Sequence, residues 1–199
     1  MENIDMSEVQ KLESDLRKNI LPPDKIVSLL QLKSSDTVAD IGCGSGYFTL
    51  ELAVAVNEGK VYAIEISQDL LDYVQEKLYK KSIKNAVLKL AGEGKLPLEE
   101  RSITYGVVML VLHEVSDKRR FLEEIERVIA LEGRVAILEW IKDASRVRTP
   151  LEDEIEADSF EERIAAEEVD FEMKTLGFSL MVSHEVSELF YLHIYKKVK

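Results

Sequence analysis

Short blocks of consecutive apolar residues alternate along this chain with stretches in which apolar residues recur every three or four positions. The blocks are Thr37-Val38-Ala39-Asp40-Ile41, Val61-Tyr62-Ala63-Ile64, Val87-Leu88-Lys89-Leu90, Val107-Val108-Met109-Leu110-Val111-Leu112 and Val135-Ala136-Ile137-Leu138. Continuous apolarity suits strands covered on both faces, as in a parallel sheet between helical layers. The intervening stretches carry helical stripes, Leu70, Leu71, Val74 and Leu78 in one, Phe121, Leu122, Ile125, Val128 and Ile129 in another. Strand followed by helix, repeated, builds βαβ units, whose crossovers are right-handed.

Past the fifth block the texture changes. Residues 143–168 are polar and acidic, with an Arg146-Val147-Arg148 island and Pro150, and read as a loop leading into a helix over Phe160 to Leu176. Ile164, Val169, Met173 and Leu176 would face inward, and Gly177 would end the helix. Two strands follow, Phe178 to Val186 and Leu189 to Tyr195, and the short Ser187-Glu188 link makes them an antiparallel hairpin. Upstream, Pro22-Pro23 divides an amphipathic N-terminal helix (Ile4, Val9, Leu12, Leu16) from a second helix through Ile26, Val27, Leu29 and Leu30. The predicted fold is α/β: a doubly wound, mostly parallel seven-stranded sheet with an antiparallel C-terminal hairpin and helices on both faces. It forms one domain over 1–199, with 1–30 as an N-terminal helical lid and 142–165 as an acidic cap.

Composition narrows the classes. The 199 residues carry a net charge of −12, which repels polyphosphate and anionic lipid, so neither nucleic acid nor membrane is an expected partner. Cys43 is the single cysteine, which rules out an intrachain disulfide and a cysteine zinc cluster and points to a reducing compartment. The acidic N-terminus does not look like a secretory leader, and no apolar run reaches the length of a membrane span. The cytoplasm is the expected address.

The chemistry concentrates at Val38-Ala39-Asp40-Ile41-Gly42-Cys43-Gly44-Ser45-Gly46-Tyr47-Phe48-Thr49, between a strand and a helix. Glycines there let a ligand approach backbone N–H groups that no β-carbon shields. The dinucleotide fingerprint G-x-G-x-x-G would need glycine at 47, where Tyr47 stands. The pattern present is D-x-G-x-G-x-G, and the second apolar block ends in Glu65, a carboxylate placed to accept from both hydroxyls of a ribose. Adenosine with a free ribose is implied, and the ligand is expected at the carboxyl ends of the strands after the first one.

With these residues the sequence resembles the class I S-adenosylmethionine-dependent methyltransferases, a Rossmann-like fold, and within them the broad group that includes the quinone-biosynthesis C-methyltransferases. The resemblance covers about residues 20 to 199. It is carried by VADIGCGSGYFT at 38–49, VYAIEISQDLLDYV at 61–74, GEGKLPL at 92–98, VVMLVLHEV at 107–115 and FLEEIERVIALEGRVAILEW at 121–140. It implies S-adenosylmethionine as cofactor and S-adenosylhomocysteine as product. The loop Gly42, Cys43, Gly44 to Gly46 would wrap the methionine end, Asp40 would lie near its amino group, and Glu65 would hold the ribose. Ile66 would lie against the adenine, with Gly92 and Leu110 also at the cofactor. An acidic residue often stands in the family where Gly92 stands here; Glu93, one position later, either reaches the adenine through a shifted turn or leaves that contact to backbone groups. Thr104 and Leu131-Glu132-Gly133 replace the family's usual Asp and Pro-Gly-Gly, at positions that are mainly structural.

Methyl transfer from a sulfonium needs positioning and a dry pocket more than it needs protein nucleophiles. No G-x-S-x-G elbow and no metal-ligand spacing occurs. His113, just past the fourth apolar block, with Glu114 beside it, either takes a proton from the acceptor or merely caps the loop. The segment with Glu139, Trp140, Arg146 and Arg148 would face the pocket from the fifth block; Trp140 either lines an acceptor site or packs, and His184 and His193 belong to the terminal hairpin. The acidic run from Glu152 to Glu156, with Glu161 and Glu162, is a solvated face or an attraction for a cationic partner. The N-terminal helix closes over the cofactor or mediates a homodimer contact. The leading expectation is methyl transfer to a small-molecule acceptor. Its alternatives are a non-catalytic S-adenosylmethionine-binding sensor or scaffold, and an NAD-dependent oxidoreductase.

Overall fold

The computed structural model describes Val9 and residues 13–92, 94–142 and 163–199. Seven strands form one sheet: β1 (Thr37–Ile41), β2 (Lys60–Glu65), β3 (Ala86–Leu90), β4 (Ile103–Met109), β5 (Ile129–Trp140), β6 (Phe178–Glu185) and β7 (Phe190–Lys197). Their order is β3-β2-β1-β4-β5-β7-β6. The first five run parallel, while β7 lies antiparallel between β5 and β6. The strand order reverses between β1 and β4, so the carboxyl ends of these two strands frame the crevice in which such folds bind ligands.

Among the described residues the helices are α1 (Asp15–Ile20), α2 (Pro23–Leu29), α3 (Thr49–Ala55), α4 (Gln68–Lys80), α5 (Lys118–Val128) and α6 (Ala166–Thr175). Their ends follow local chemistry. The Ser67 hydroxyl accepts from the Leu70 N–H at the start of α4, and the Asp117 carboxylate accepts from the Arg120 N–H at the start of α5. The α4 stripe, Leu70, Leu71, Val74 and Leu78, is buried as its spacing requires. Lys197 is buried and donates to the carbonyls of Glu126 and Ile129, satisfying acceptors at the C-terminal end of α5.

Apolar residues fill both faces of the sheet. Val38, Tyr105, Val107, Leu138 and Leu192 share one cluster with Ile26, Val27 and Leu52 of α2 and α3. Ala39, Ile41, Val108 and Ile137 share another with Leu122 and Ile125 of α5 and with Val169 and Met173 of α6. Alternate residues of β1 therefore enter opposite layers, and four of its five residues are buried.

Three boundaries differ from the pattern reading. The fourth apolar block runs to Leu112, yet β4 stops at Met109, because Leu110 has a left-handed backbone (φ 59) and the chain leaves the sheet there. Ile129, in register with the helical stripe, opens β5, which begins six residues before the apolar run Val135–Leu138. Helix α6 starts at Ala166, with Ala165 extended before it, rather than at Phe160. In the N-terminal helix, Ile4 and Leu12 lie outside the described residues, while Val9 is buried. Also outside them are Glu93, the Arg146 and Arg148 island, the acidic run Glu152–Glu156, Glu161 and Glu162, and most of the 142–165 cap.

Candidate active site

The floor of the site is the turn that leaves β1. The N–H groups of Gly42 and Cys43 both donate to the carbonyl of Ile64 (2.8 and 3.0 Å), so the loop hangs from the neighbouring strand. Gly42 has φ 72, and a β-carbon there would stand 2.5 Å from Val111 Cγ2. Gly46 has φ 74, and its β-carbon would meet Val74 at 2.9 Å. Both positions therefore need glycine for backbone angle and for space.

Glu65, the last residue of β2, organises this loop as well as facing it. Its Oε2 accepts from the Gly44 N–H (2.9 Å), while Oε1 accepts from the N–H groups of Ile66 (2.8 Å) and Ser67 (3.2 Å). Asp40 is 2% exposed and accepts a hydrogen bond from the Thr49 hydroxyl at 2.6 Å. Burial pushes its carboxyl up to about 7, against the pull of the Thr49 hydrogen bond and with a further push from the Glu65 charge. The Cys43 thiol is driven upward by burial and by Asp40 and Glu65, so it stays protonated and is a poor nucleophile.

These groups open on one cavity of about 700 Å³. Asp40, Gly42, Cys43, Gly44, Glu65, Ile66, Gly92 and Leu110 line it, and Gly46 turns the loop out of it beside Ser45 and Tyr47. Ile66 is 75% exposed, an apolar side chain held at the rim beside a carboxylate. The far wall comes from Leu96 and from Phe121 and Glu124 of α5. There the Leu96 N–H donates to Glu124, and Arg127 pairs with the same carboxylate while donating to the carbonyls of Leu96 and Leu98. This ties the 94–98 turn to α5. It also holds Glu124 below the usual carboxylate range, chiefly through the Arg127 hydrogen bond.

The roof is the N-terminal segment. Arg17 of α1 lines the cavity, with its guanidinium 5.3 Å from the centre of the Tyr47 ring. Lys77 pairs with Glu13 and donates to the carbonyl of Ser45 (2.9 Å), and the Tyr47 hydroxyl donates to the carbonyl of Leu21 (2.9 Å). These links strap residues 13–21 across the glycine loop.

His113 is not on the cavity wall; its neighbours Leu110, Val111 and Glu114 are. Its Nδ1 lies 2.6 Å from Oε2 of Glu139, which is fully buried. The other oxygen of Glu139 accepts from the N–H groups of Val111 (3.0 Å) and Leu112 (2.7 Å). One carboxylate from β5 thus holds the turn after β4. Trp140 is also off the wall, packed on Phe190 with the Arg163 guanidinium 5.0 Å from its ring centre. His193 stands between the Ser183 hydroxyl and Asp170, and Tyr195 donates to the same Asp170, a network that fastens α6 to the hairpin. Thr104 bonds Asp36 and the Thr37 N–H, the structural part expected of it.

Pattern reading missed Arg17, gave Ser45 no role of its own within the glycine loop, and turned Glu139 toward the pocket, whereas the structure buries it under the turn after β4. Arg17 stands three residues before Ile20, on the face of α1 that packs inward, which is the signal that marks it. Glu139 is a carboxylate inside an apolar run, which asks for buried partners. Among the described residues, no group of three or more potential ligands could hold a metal, and no helix is long and apolar enough to cross a membrane.

Comparison with known proteins agrees with this geometry. The profile of the methyltransferase domain matches residues 32–191. A demethylmenaquinone methyltransferase of Bacillus mycoides is 30% identical over 112 residues, 56% of this chain and 47% of that protein. The 27-O-demethylrifamycin SV methyltransferase of Amycolatopsis mediterranei is 27% identical over 135 residues, 63% of this chain and 49% of the relative. The chain spans about half the length of these curated relatives. Among solved structures, a SAM-dependent methyltransferase of Aquifex aeolicus superposes with a TM-score of 0.84 at 28% identity, covering 98% of this chain and 100% of that one. The [4+2]-cyclase SpnF superposes with a TM-score of 0.74 at 16% identity, covering 97% and 95%, a likeness of fold alone. The chain belongs to the methyltransferase-domain family and is a class I S-adenosylmethionine-dependent methyltransferase in fold and family.

Proposed function

We propose that this protein transfers the methyl group of S-adenosylmethionine to a small-molecule acceptor. The observation that carries the reading is the convergence of Asp40, the glycine loop, Glu65 and Ile66 on a single cavity of about 700 Å³. That volume falls in the range of sites that enclose a small ligand. The residues present fit the cofactor: Gly42 and Gly44 place no side chain between the loop's backbone and the cavity, and Glu65 keeps an acceptor lone pair beyond its three backbone contacts. Ile66 offers an uncovered apolar surface one residue past the ribose acid.

When bound, the cofactor supplies an electrophilic methyl on a positively charged sulfur. The chain's own residues do the rest. Glu65 would hold the ribose and Asp40 the methionine ammonium, while Ile66, Gly92 and Leu110 would enclose the adenosine. The 110–114 turn, fixed by Glu139, would face the acceptor with Leu110, Val111 and Glu114. His113, its Nδ1 committed to Glu139, would act as the pivot of that turn rather than meet the acceptor itself. Residues 13–21 would cover the loop and keep water out, the lid expected of the N-terminal helix.

Titration with S-adenosylhomocysteine, S-adenosylmethionine and NADH tests the cofactor, followed by an acceptor screen begun with demethylmenaquinone-like naphthoquinols because of the curated relatives. A saturable thermal shift with the first two ligands only, then methyl incorporation from labelled S-adenosylmethionine, is the expected result. Binding without turnover on any acceptor would move the reading to a cofactor-binding sensor.

A further inference from the structure

A second polar cluster lies away from the cavity, where α6 meets the hairpin. Asp170 of α6, Ser183 of β6 and His193 of β7 form one line of contacts, and none of the three lines the cavity. Ser183 Oγ lies 2.9 Å from His193 Nε2, and His193 Nδ1 lies 2.9 Å from Oδ1 of Asp170. The Tyr195 hydroxyl donates to the same Oδ1 at 2.7 Å. Burial and that bond push the Tyr195 phenol upward, so it stays a neutral donor. An ionised carboxylate only accepts, so the imidazole proton facing Asp170 sits on Nδ1, and Nε2 keeps its lone pair for the Ser183 hydroxyl. Every bond then points the same way, from hydroxyl to imidazole to carboxylate, the order that activates a serine as a nucleophile.

The strand register adds a backbone donor. The Val186 N–H donates to the Phe190 carbonyl at the hairpin end (3.0 Å), so by the alternation of an antiparallel ladder Ser183 and His193, three steps further, are a non-hydrogen-bonded pair. Such pairs bring their side chains closest and turn the N–H of the outer strand away from its partner. Strand β6 ends the sheet, so the Ser183 N–H points to the outer edge, on the side where an oxyanion formed at Ser183 needs a donor. Packing does not account for the serine. Ser183 is exposed, where water satisfies a hydroxyl, and its bond to His193 joins two strands already laddered together. The attachment of α6 to the hairpin is made by Asp170 with His193 and Tyr195.

We propose that Ser183, His193 and Asp170 form a second reactive centre, one that takes acyl groups from small uncharged activated esters. Ser183 Oγ attacks the carbonyl carbon while its proton passes to His193 Nε2; the ester C–O bond breaks, and the leaving alcohol takes that proton. Water then adds to the acyl carbon and gives a proton to Nε2. The bond to Oγ breaks, the carboxylic acid leaves, and Ser183 recovers the proton. Asp170 is a positioning residue that fixes the tautomer and balances the imidazolium. The exposed setting of Ser183 leaves selection to the reactivity of the leaving group. Glu167 and Glu168, whose charges reach Tyr191 with its ring 5.0 Å from that of His193, disfavour anionic esters.

The test treats the full chain with p-nitrophenyl acetate and, separately, with a fluorophosphonate probe whose adduct is mapped by mass spectrometry. The adduct should fall on Ser183. Ser183→Ala and His193→Gln should lose it and slow ester hydrolysis by roughly 100-fold, the lower end of what a positioned base contributes. His184→Gln removes an imidazole from the same strand but not from the cluster, and should change neither readout. Ser183→Ala should melt with the parent. Nitrogen chemical shifts of His193 in mildly alkaline buffer should show Nδ1 protonated and Nε2 bare. Asp170→Ala frees the Tyr195 hydroxyl to donate to Nδ1, 3.2 Å away, so the proton should move to Nε2 and labelling should fall. Labelling that avoids Ser183, hydrolysis equal in the parent and Ser183→Ala, or a parent His193 with its proton on Nε2 overturns the assignment.

Discussion

Glu139 and His113, 26 residues apart in sequence, meet at the carboxyl ends of β5 and β4 with Oε2 and Nδ1 2.6 Å apart. The same carboxyl group accepts from two backbone N–H groups of the intervening turn, so three polar contacts converge on one buried side chain. Glu139→Ala would orphan all three, and chemical denaturation should show a loss of about 2–5 kcal/mol. Glu139→Gln keeps an oxygen for Val111 and Leu112 but turns an amide donor toward His113. It should cost about 1 kcal/mol and move the imidazole proton from Nδ1 to Nε2, a change that nitrogen chemical shifts of the ring report directly.

Asp40 predicts a pH dependence of defined sign. In the unfolded chain its carboxyl titrates near 3.8, and in the fold near 7. Between those values the folded protein holds the proton that the unfolded chain has released, so stability falls as pH rises from about 4 to about 7 and is level above. Asp40→Asn should remove that component of the slope. A cationic ligand beside Asp40 draws the carboxyl back down. Affinity for S-adenosylhomocysteine should therefore rise between pH 5.5 and 7 by up to ~10-fold per unit and flatten in the variant. Affinity that falls with pH would place the ammonium elsewhere.

At Gly42 two independent costs coincide. Alanine there adopts φ 72 only under strain, and its methyl would overlap Val111 Cγ2 at 2.5 Å. Gly42→Ala should lose roughly 1–3 kcal/mol of stability together with cofactor binding. Adding Val111→Ala relieves the overlap but not the backbone, so the double variant should recover part of the stability and remain below the parent. Full recovery would show that space alone fixes the glycine.

Glu65→Ala should weaken S-adenosylhomocysteine by roughly 1–3 kcal/mol in calorimetry. The carboxylate also accepts from Gly44, Ile66 and Ser67, so the variant should melt earlier even without ligand. Comparison with 2′-deoxy cofactor analogues separates the two effects, because an analogue lacking the hydroxyl already lacks the contact that the mutation removes.

The central part of this fold is legible in the sequence because single physical causes act locally there. Thr37–Ile41 is the first strand to the residue, since a strand covered on both faces shows apolar residues at consecutive positions, here broken by the site residue Asp40. The stripe Leu70, Leu71, Val74 and Leu78 can serve only as one buried helical face. The glycine loop and Glu65 are legible through spacing alone. The failures have causes remote in sequence. Leu110 to Leu112 look like strand, but the Leu110 N–H makes the last bond to β5, and Glu139 of that strand captures the N–H groups of Val111 and Leu112 and turns the chain out of the sheet. Ile129 fits a helix until the pairing of Ile103 with Ile129 places it in β5. Arg17 shares a helix face with Ile20, but its place on the cavity depends on the packing of that helix over Tyr47, a contact remote in sequence.

The floor and the roof of the cavity differ in how they are secured. The glycine loop leaves β1, which is hydrogen-bonded on both sides by β2 and β4 and packed in the interior. The roof is a six-residue helix with no fully buried residue, held by a few polar links. In hydrogen exchange the amides of 38–42 should open only with the whole molecule, whereas those of 15–20 should exchange through a local opening. Entry to the site therefore costs the detachment of one short helix and leaves the surface that reads the ligand undisturbed.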